Sequence, residues 1–168
     1  MKSLFKYSLI ASVIVIIPKL VVFLTHSQFV GIGVYSGLIS LLFISIPLIF
    51  AIRNKRNELG GFIRLREVMN VGLAVSVISG LIIAAFNFIY YKFIDHETLA
   101  QLIIRTEDAL KAVKKNQSEI DVEINALKEF YSPFKQATGV LTGVLTAGVI
   151  LSFLSSTFLV KNPPSQEN

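Results

Sequence analysis

The chain has 168 residues, of which 53% are hydrophobic and only 16% are charged. Soluble domains carry about a quarter charged residues, so this composition favours a small membrane protein over a soluble domain. The absence of cysteine excludes disulfides and thiolate metal sites. The net charge of +5 does not indicate a nucleic-acid partner, because the cations lie beside the apolar runs, as they do in oriented membrane proteins.

The first apolar run follows Lys2 and Lys6 and predicts a membrane span over about 7–25. A signal peptide is the competing interpretation, since a basic start followed by an apolar run fits one. We favour an uncleaved span, because Pro18 and Lys19 interrupt the run and no cleavage site follows. Lys19 is a candidate intramembrane site for an anion or a carboxylate. The simpler interpretation is a lysine that extends toward the membrane surface beside a proline kink.

A second span is predicted over about 30–52, and a basic loop, 53–67, follows it. The pair Gly60-Gly61 within this loop ends the helix. The loop is most simply an orientation signal, since arginine and lysine collect on the cytoplasmic side of membrane proteins. The alternative is a specific site for an anionic lipid or a nucleotide.

The longest uncharged run, Val71 to Tyr91, has 21 residues. As a helix it is roughly 31 Å long, which matches the hydrocarbon core of a bilayer. Together with the amphipathic residues before it, this run predicts a third span over about 68–91. Small residues recur every four positions in this span and predict a face for close helix packing. They are Gly72, Ser76 and Gly80.

Two asparagines mark the ends of the third span, Asn70 near its entrance and Asn87 near its exit. As candidate intramembrane polar residues they either bind a ligand or, more simply, hydrogen-bond to another helix or at the interface. The predicted spans lack the paired carboxylates that a proton relay usually requires. This argues against a self-contained proton-driven transporter.

Residues 95–132 change character and predict an extramembrane helical hairpin. Asp95 is the expected N-cap of its first helix. After an interruption at Asn116, Ser118 with Asp121 resembles a capping box that opens the second helix. Apolar residues keep helical spacing along one seam, and the alternating charges indicate a solvated face. The alternative is a docking surface for a protein partner.

Ser132 and Pro133 predict the N-cap and first residue of the last helix, whose membrane span is about 137–160. This span has the clearest small-residue face in the chain. We expect that face to pack against the third span or against another copy of the chain, which would give a homo-oligomer. Its residues are Gly139, Gly143 and Ala147.

The cations near the span ends fall on one side of the membrane if both termini are cytoplasmic. The predicted location is therefore the bacterial inner (cytoplasmic) membrane, with multiple spans and the 95–132 hairpin outside. The final residues, 162–168, predict a disordered tail. The cations assigned to the inner side are Lys2, Lys6, Arg53, Lys55, Arg56, Arg64, Arg66 and Lys161.

The central stretch of the chain resembles a bacterial membrane family, the domain of unknown function 4199. The residues that carry the resemblance are Gly60 to Phe62, Glu67, Gly72 and the run Phe86 to Asp95. The resemblance covers nearly the whole chain, although members of the family usually have proline where His96 stands here. It implies an integral membrane protein with four helices and no assigned activity, so no catalytic residues are carried over.

The sequence as a whole predicts an all-α polytopic protein, with four transmembrane helices in a single membrane domain over 1–168. No cofactor or catalytic motif is present. His26 and His96 with their neighbours do not supply the three or four ligands that a metal site needs. We therefore expect no enzyme, but a structural or partner-binding component that contacts the lipid bilayer. The alternative function is a small transporter or channel subunit that acts as an oligomer.

Overall fold

The computed structural model describes residues 2–27, 32–95 and 97–161, without the side chains of 32–38 and 41. Apart from one isolated β-bridge, the regular elements in these ranges are helical, which confirms the all-α prediction. The start of the second predicted span at 30–31, His96 and the predicted tail lie outside the described residues. The elements are α1 (Lys2–Leu24), α2 (Ile32–Glu58), α3 (Leu65–Ile89), a π-helical turn (Tyr90–Ile94), α4 (Glu97–Ala112), α5 (Gln117–Phe130) and α6 (Pro133–Leu159).

Three of the described helical segments are long and apolar enough to cross a membrane: Lys2–Leu24, Leu65–Ile94 and Pro133–Leu159. They coincide with the first, third and fourth predicted spans and indicate a membrane-embedded protein. The segment that matches the third predicted span is longer than expected, because the π-helical turn continues α3 to Ile94. The second predicted span is helical from Ile32, and its crossing of the membrane stays a prediction.

The chain divides into two compact units. The first contains residues 1–83 and 141–168, and therefore α1, α2, most of α3 and most of α6. The second contains residues 84–140, which include the π-helical turn, α4 and α5.

The helices of the first unit bury small polar side chains beside an apolar core, and they expose many large apolar side chains. Phe153 is 59% exposed and Phe158 is 86% exposed, and similar apolar residues line the outside of α1 and α2. Soluble proteins rarely expose apolar patches of this extent, so this surface is suited to lipid. The buried serines of this unit are Ser8, Ser12, Ser76, Ser79, Ser152, Ser155 and Ser156.

α3 and α6 interlock through two reciprocal pairs of glycine and serine. A Cβ atom added at Gly72 would lie 1.7 Å from Ser152 Oγ, and one added at Gly148 would lie 1.8 Å from Ser76 Oγ. Each serine side chain therefore fills the space that the opposing glycine leaves open. The pairing of 72 with 152 and of 76 with 148 makes the two helices antiparallel. Small residues at such a crossing allow close backbone approach, which favours association in lipid.

α1 packs on α3 through two further serines, one helical turn apart. Ser8 Oγ donates to Leu4 O at 2.9 Å and also approaches Val75 O at 3.4 Å. Ser12 repeats this one turn later, with Ser8 O at 2.9 Å and Ser79 O at 3.5 Å. Carbonyl oxygens thus satisfy both buried hydroxyls, which would be costly in lipid without such partners.

In the second unit, α4 and α5 are amphipathic helices in contact with each other. α5 buries Ile120 and Ile124, which are 3% and 8% exposed, whereas α4 has no fully buried side chain. Asp95 Oδ1 accepts a hydrogen bond from the Thr98 N–H at 3.0 Å, so the predicted cap of α4 is confirmed. Ser132 Oγ likewise accepts from the Lys135 N–H at 3.4 Å ahead of Pro133, as predicted for α6.

The capping box of α5 lies two residues earlier than the sequence predicts. Asn116 Oδ1 accepts from the Glu119 N–H at 2.9 Å, and Glu119 Oε2 accepts from the Asn116 N–H at 3.1 Å. The predicted pair, Ser118 and Asp121, was wrong. Glutamate has one methylene more than aspartate, so it reaches back to the cap backbone, whereas Asp121 instead accepts from Gln117 at 2.9 Å.

Candidate functional site

The first unit contains a pocket of about 230 Å³ where the start of α1, the end of α2 and the start of α3 meet. Most of its lining is polar or charged. Its floor is apolar, since Val71 belongs to the buried core and Leu4 packs against that core. The lining residues are Ser3, Leu4, Lys55, Glu58, Glu67, Asn70 and Val71.

Glu58 is the centre of a hydrogen-bond network in this pocket. Its Oε1 accepts from Asn54 Nδ2 at 2.8 Å, and its Oε2 lies 3.2 Å from Lys55 Nζ. The hydroxyl of Ser3 lies 3.5 Å from Oε1 and 3.3 Å from the Asn54 amide. The network joins α1 to the last turns of α2 and holds a carboxylate at the pocket wall.

Glu67 also lines the pocket, and it caps α3. Its Oε2 accepts from the Arg64 N–H at 2.7 Å. The chain reaches this position through Gly60 and Gly61, whose φ angles of +75° and +90° favour glycine. Arg56 Nε donates to Gly61 O at 2.9 Å and fixes the turn. The Gly-Gly-Phe motif therefore brings the chain from α2 to the cap of α3.

The end of α6 lies beside this turn. Ile63 and Lys161 exchange two backbone hydrogen bonds of 3.0 Å, and Lys161 Nζ lies 5.6 Å from the centre of the Phe62 ring. The predicted 53–67 loop is shorter than expected, since α2 continues to Glu58 and α3 begins at Leu65. Because Ser3 contacts Glu58 as well, the first residues of α1, the segment 53–67 and Lys161 meet at one end of the first unit. The sequence predicts one membrane side for these segments, and their proximity agrees with that. Which side they face stays a prediction.

The second unit contains a buried pair formed by Tyr90 and Asp95. The Tyr90 hydroxyl donates to Asp95 Oδ2 at 2.9 Å, and the two residues are 2% and 4% exposed. The π-helical turn allows this contact, since it places the Asp95 N–H on Tyr90 O at 2.9 Å. Asp95 thus ends one helix and caps the next. Sequence reasoning predicted the cap but missed the tyrosine.

Aromatic rings extend this cluster within the second unit. The Tyr91 and Tyr131 ring centres are 6.3 Å apart, and Phe130 stacks edge-on against Tyr131 at 5.4 Å. Burial, followed by the charge of Asp95, raises the pKa of Tyr131 above its usual value. Tyr131 is therefore a neutral phenol at physiological pH.

The predicted packing residues divide into two groups. Gly72 and Ser76 form the interlock, and a Cβ at Gly80 would lie 3.0 Å from Leu141 Cδ1. A Cβ at Gly139 or Gly143 would meet no heavy atom within 4 Å among the described residues, and Ala147 is half-buried. α6 instead contacts α3 through Gly148 and Ser152, which the sequence analysis missed. Their own four-residue spacing was a detectable signal.

The predicted polar residues lie in different surroundings. Lys19 is half-buried near the end of α1. Asn70 is exposed and lines the pocket. Asn87 is buried in the second unit, with 4% of its surface exposed. Among these, only Asn70 is placed together with other candidate ligand-binding groups of the pocket.

The two histidines contribute no described metal site. His26 follows α1 with a φ of +50°, and His96 lies outside the described residues. Within the ranges that the structure describes, no three or more His, Cys, Asp or Glu residues converge on one point.

The apolar helices and buried serines define this chain as a membrane-embedded helical protein. The family model described as protein of unknown function (DUF4199) matches residues 6–161, so the chain belongs to that family. This confirms the resemblance seen in the Gly60 to Asp95 stretch. No curated protein and no solved structure matches the chain. The family carries no assigned activity, so function has to be argued from the geometry.

Proposed function

We propose that this protein is a non-catalytic, partner-binding component of the bacterial inner membrane. The observation that carries the proposal is the pair of amphipathic helices α4 and α5, which contact each other. Ile120 and Ile124 are buried on α5, and the two helices expose many charged residues with a few apolar ones between them. A helix pair with this polarity is stabilised by water around it, because burial of apolar seams drives association in water but not in lipid.

The distribution of charge supports an orientation for the molecule. Eight cations belong to the segments that meet at one end of the first unit, from Lys2 to Lys161, against the acids Glu58 and Glu67. The positive-inside rule places such an end in the cytoplasm. With four spans, the 95–132 region then faces the periplasm, where it is available to a second protein.

The surface of α4 and α5 offers apolar anchors between its charges. Val122 and Phe130 on α5 are 66% and 63% exposed, and Val113 after α4 is 68% exposed. Aromatic and apolar residues surrounded by charge are typical anchors of protein interfaces. We propose that the partner binds over this surface.

Photo-crosslinking in cells tests this function. A photoreactive residue is placed at Val122 or Phe130, and, as a matched control, at the buried position Ile120. We expect one reproducible protein adduct from the exposed positions and none from the control. If neither exposed position gives an adduct, and the detergent-purified chain retains no other protein, the proposal is wrong.

A further inference from the structure

We infer that the pocket between α1, α2 and α3 binds the headgroup of a zwitterionic phospholipid, an ammonium joined to a phosphate. The inference does not depend on the partner proposed for α4 and α5. It rests on the charges of the pocket, its size and its place along the spans.

The pocket carries charges of both signs. Glu58 and Glu67 contribute two carboxylates, and Lys55 contributes an ammonium within the same lining. A simple anion would be repelled by the two carboxylates, and a simple cation would compete with Lys55 for Glu58 and leave the lysine without a counter-charge. A ligand that carries both signs matches this lining better than either, because each of its groups meets an opposite charge.

The ion pair between Lys55 and Glu58 does not prevent a ligand from binding in the pocket. The side chains of Lys55 and Glu58 are 40% and 47% exposed while 3.2 Å apart. Exposed pairs of this kind contribute only about 0–1 kcal/mol. A headgroup can therefore exchange partners with them, its phosphate binding Lys55 and its ammonium binding Glu58.

The second carboxylate is positioned for the same ammonium. Glu67 is held by its bond to the Arg64 N–H, which uses Oε2, so the carboxylate is fixed at the pocket wall. Asn70 follows it by three residues on α3, on the same helix face, and adds an amide that can donate or accept. These groups favour an amine with N–H donors over a quaternary ammonium.

The location of the pocket points to a lipid as the source of the headgroup. The segments Lys2–Leu24 and Leu65–Ile94 both begin here, so the pocket lies at the boundary between water and hydrocarbon. Its floor of Leu4 and Val71 continues into the apolar interior. The volume of about 230 Å³ fits a headgroup and falls below the range of roughly 300–1,000 Å³ common for larger ligands.

Competition between lipids tests the inference on the full chain. The protein is delipidated in mild detergent and given equal amounts of phosphatidylethanolamine and phosphatidylglycerol, and native mass spectrometry counts each bound lipid. We expect phosphatidylethanolamine to be retained in preference. In the double variant Glu58→Gln, Glu67→Gln the ratio should fall about fivefold, the effect of losing an exposed ion pair at the upper end of its range.

The control is the double variant Glu107→Gln, Glu129→Gln, which removes two exposed acids from α4 and α5 and should leave the ratio unchanged. Glutamine retains the acceptor oxygen that Asn54 and the Arg64 N–H use, so the pocket variant should fold. Equal retention of both lipids by the unmodified protein overturns the inference without any variant.

Two further competition measurements define which chemical groups of the ligand are recognised and whether it comes from the membrane. Phosphatidylcholine carries the same charges without N–H donors, and we expect it to bind more weakly than phosphatidylethanolamine; equal binding contradicts the role given to Glu67 and Asn70. Soluble phosphoethanolamine at the same concentration should not displace the lipid. If it does, the site takes its ligand from solution and the lipid assignment is wrong.

Discussion

Two helix pairs in this protein pack by opposite means. α3 and α6 meet through Gly72, Ser76, Gly148 and Ser152, with large apolar residues turned outward. α4 and α5 contact each other with Ile120 and Ile124 buried on α5 and with charged residues exposed. The first arrangement gains from close backbone approach, and the second from removing apolar surface from water.

This difference in packing indicates a solvent for each pair without reference to helix length. Lipid tails are as apolar as leucine, so burying leucine against leucine gains little there, and small residues favour association instead. Water reverses that preference. The packing therefore agrees with a lipid environment for α3 and α6 and with an aqueous one for α4 and α5.

The largest effect is expected from enlarging a residue of the interlock. Gly148→Val places side-chain atoms where Ser76 already lies, because even a Cβ would come within 1.8 Å of its Oγ. We expect a loss of about 3 kcal/mol in stability, the upper part of the range for overpacked cores. Thermal unfolding in detergent, followed by circular dichroism, measures it.

The matched control for that variant is Gly143→Val on the same helix, where an added Cβ meets no heavy atom within 4 Å among the described residues. It should change the stability by less than about 0.5 kcal/mol. Equal unfolding temperatures for the two variants would contradict the interlock.

A smaller loss of stability is expected from truncating a buried residue of α5. Ile120→Ala removes buried apolar atoms from a thin helix pair, so we expect a loss of about 2 kcal/mol, at the low end for buried isoleucine. Hydrogen exchange of the α4 and α5 amides reports it locally. Val122→Ala, at a position 66% exposed, serves as the control, and similar protection in both variants would mean that the buried face of α5 is not the stabilising surface.

The smallest effect concerns the start of α5. Asn116→Ala removes the cap and should cost about 1 kcal/mol, measured as faster exchange in the first turn of α5. Ser118→Ala should leave the exchange rates in the first turn of α5 almost unchanged. The reverse ranking would support the capping box predicted from the sequence and contradict the one that the structure describes.

Much of the architecture could be predicted because apolar runs and helical spacing are local signals. The uncharged run to Tyr91 gave α3, and the Asp95 cap gave the start of α4. The packing face of α6 could not be selected in this way. Gly143 and Gly148 both belong to four-residue series of small residues on different sides of one helix, and only the position of α3 decides between them.

The candidate site was harder to predict, because its parts are distant along the chain. Ser3, Glu58 and Asn70 come from three helices, and each looks ordinary in its own segment. The Tyr90–Asp95 bond was missed for another reason. It depends on a π-helical turn, and no residue pattern in the run from Phe86 distinguishes such a turn from an α-helix.

The reciprocal pairing of glycine with serine also restricts how this protein can evolve. Position 76 and position 148 share a fixed volume, as do positions 72 and 152, so neither member of a pair can grow alone. Exchange within a pair conserves that volume, and Gly148→Ser should be tolerated only together with Ser76→Gly. Related chains should therefore show correlated changes in residue size at these positions.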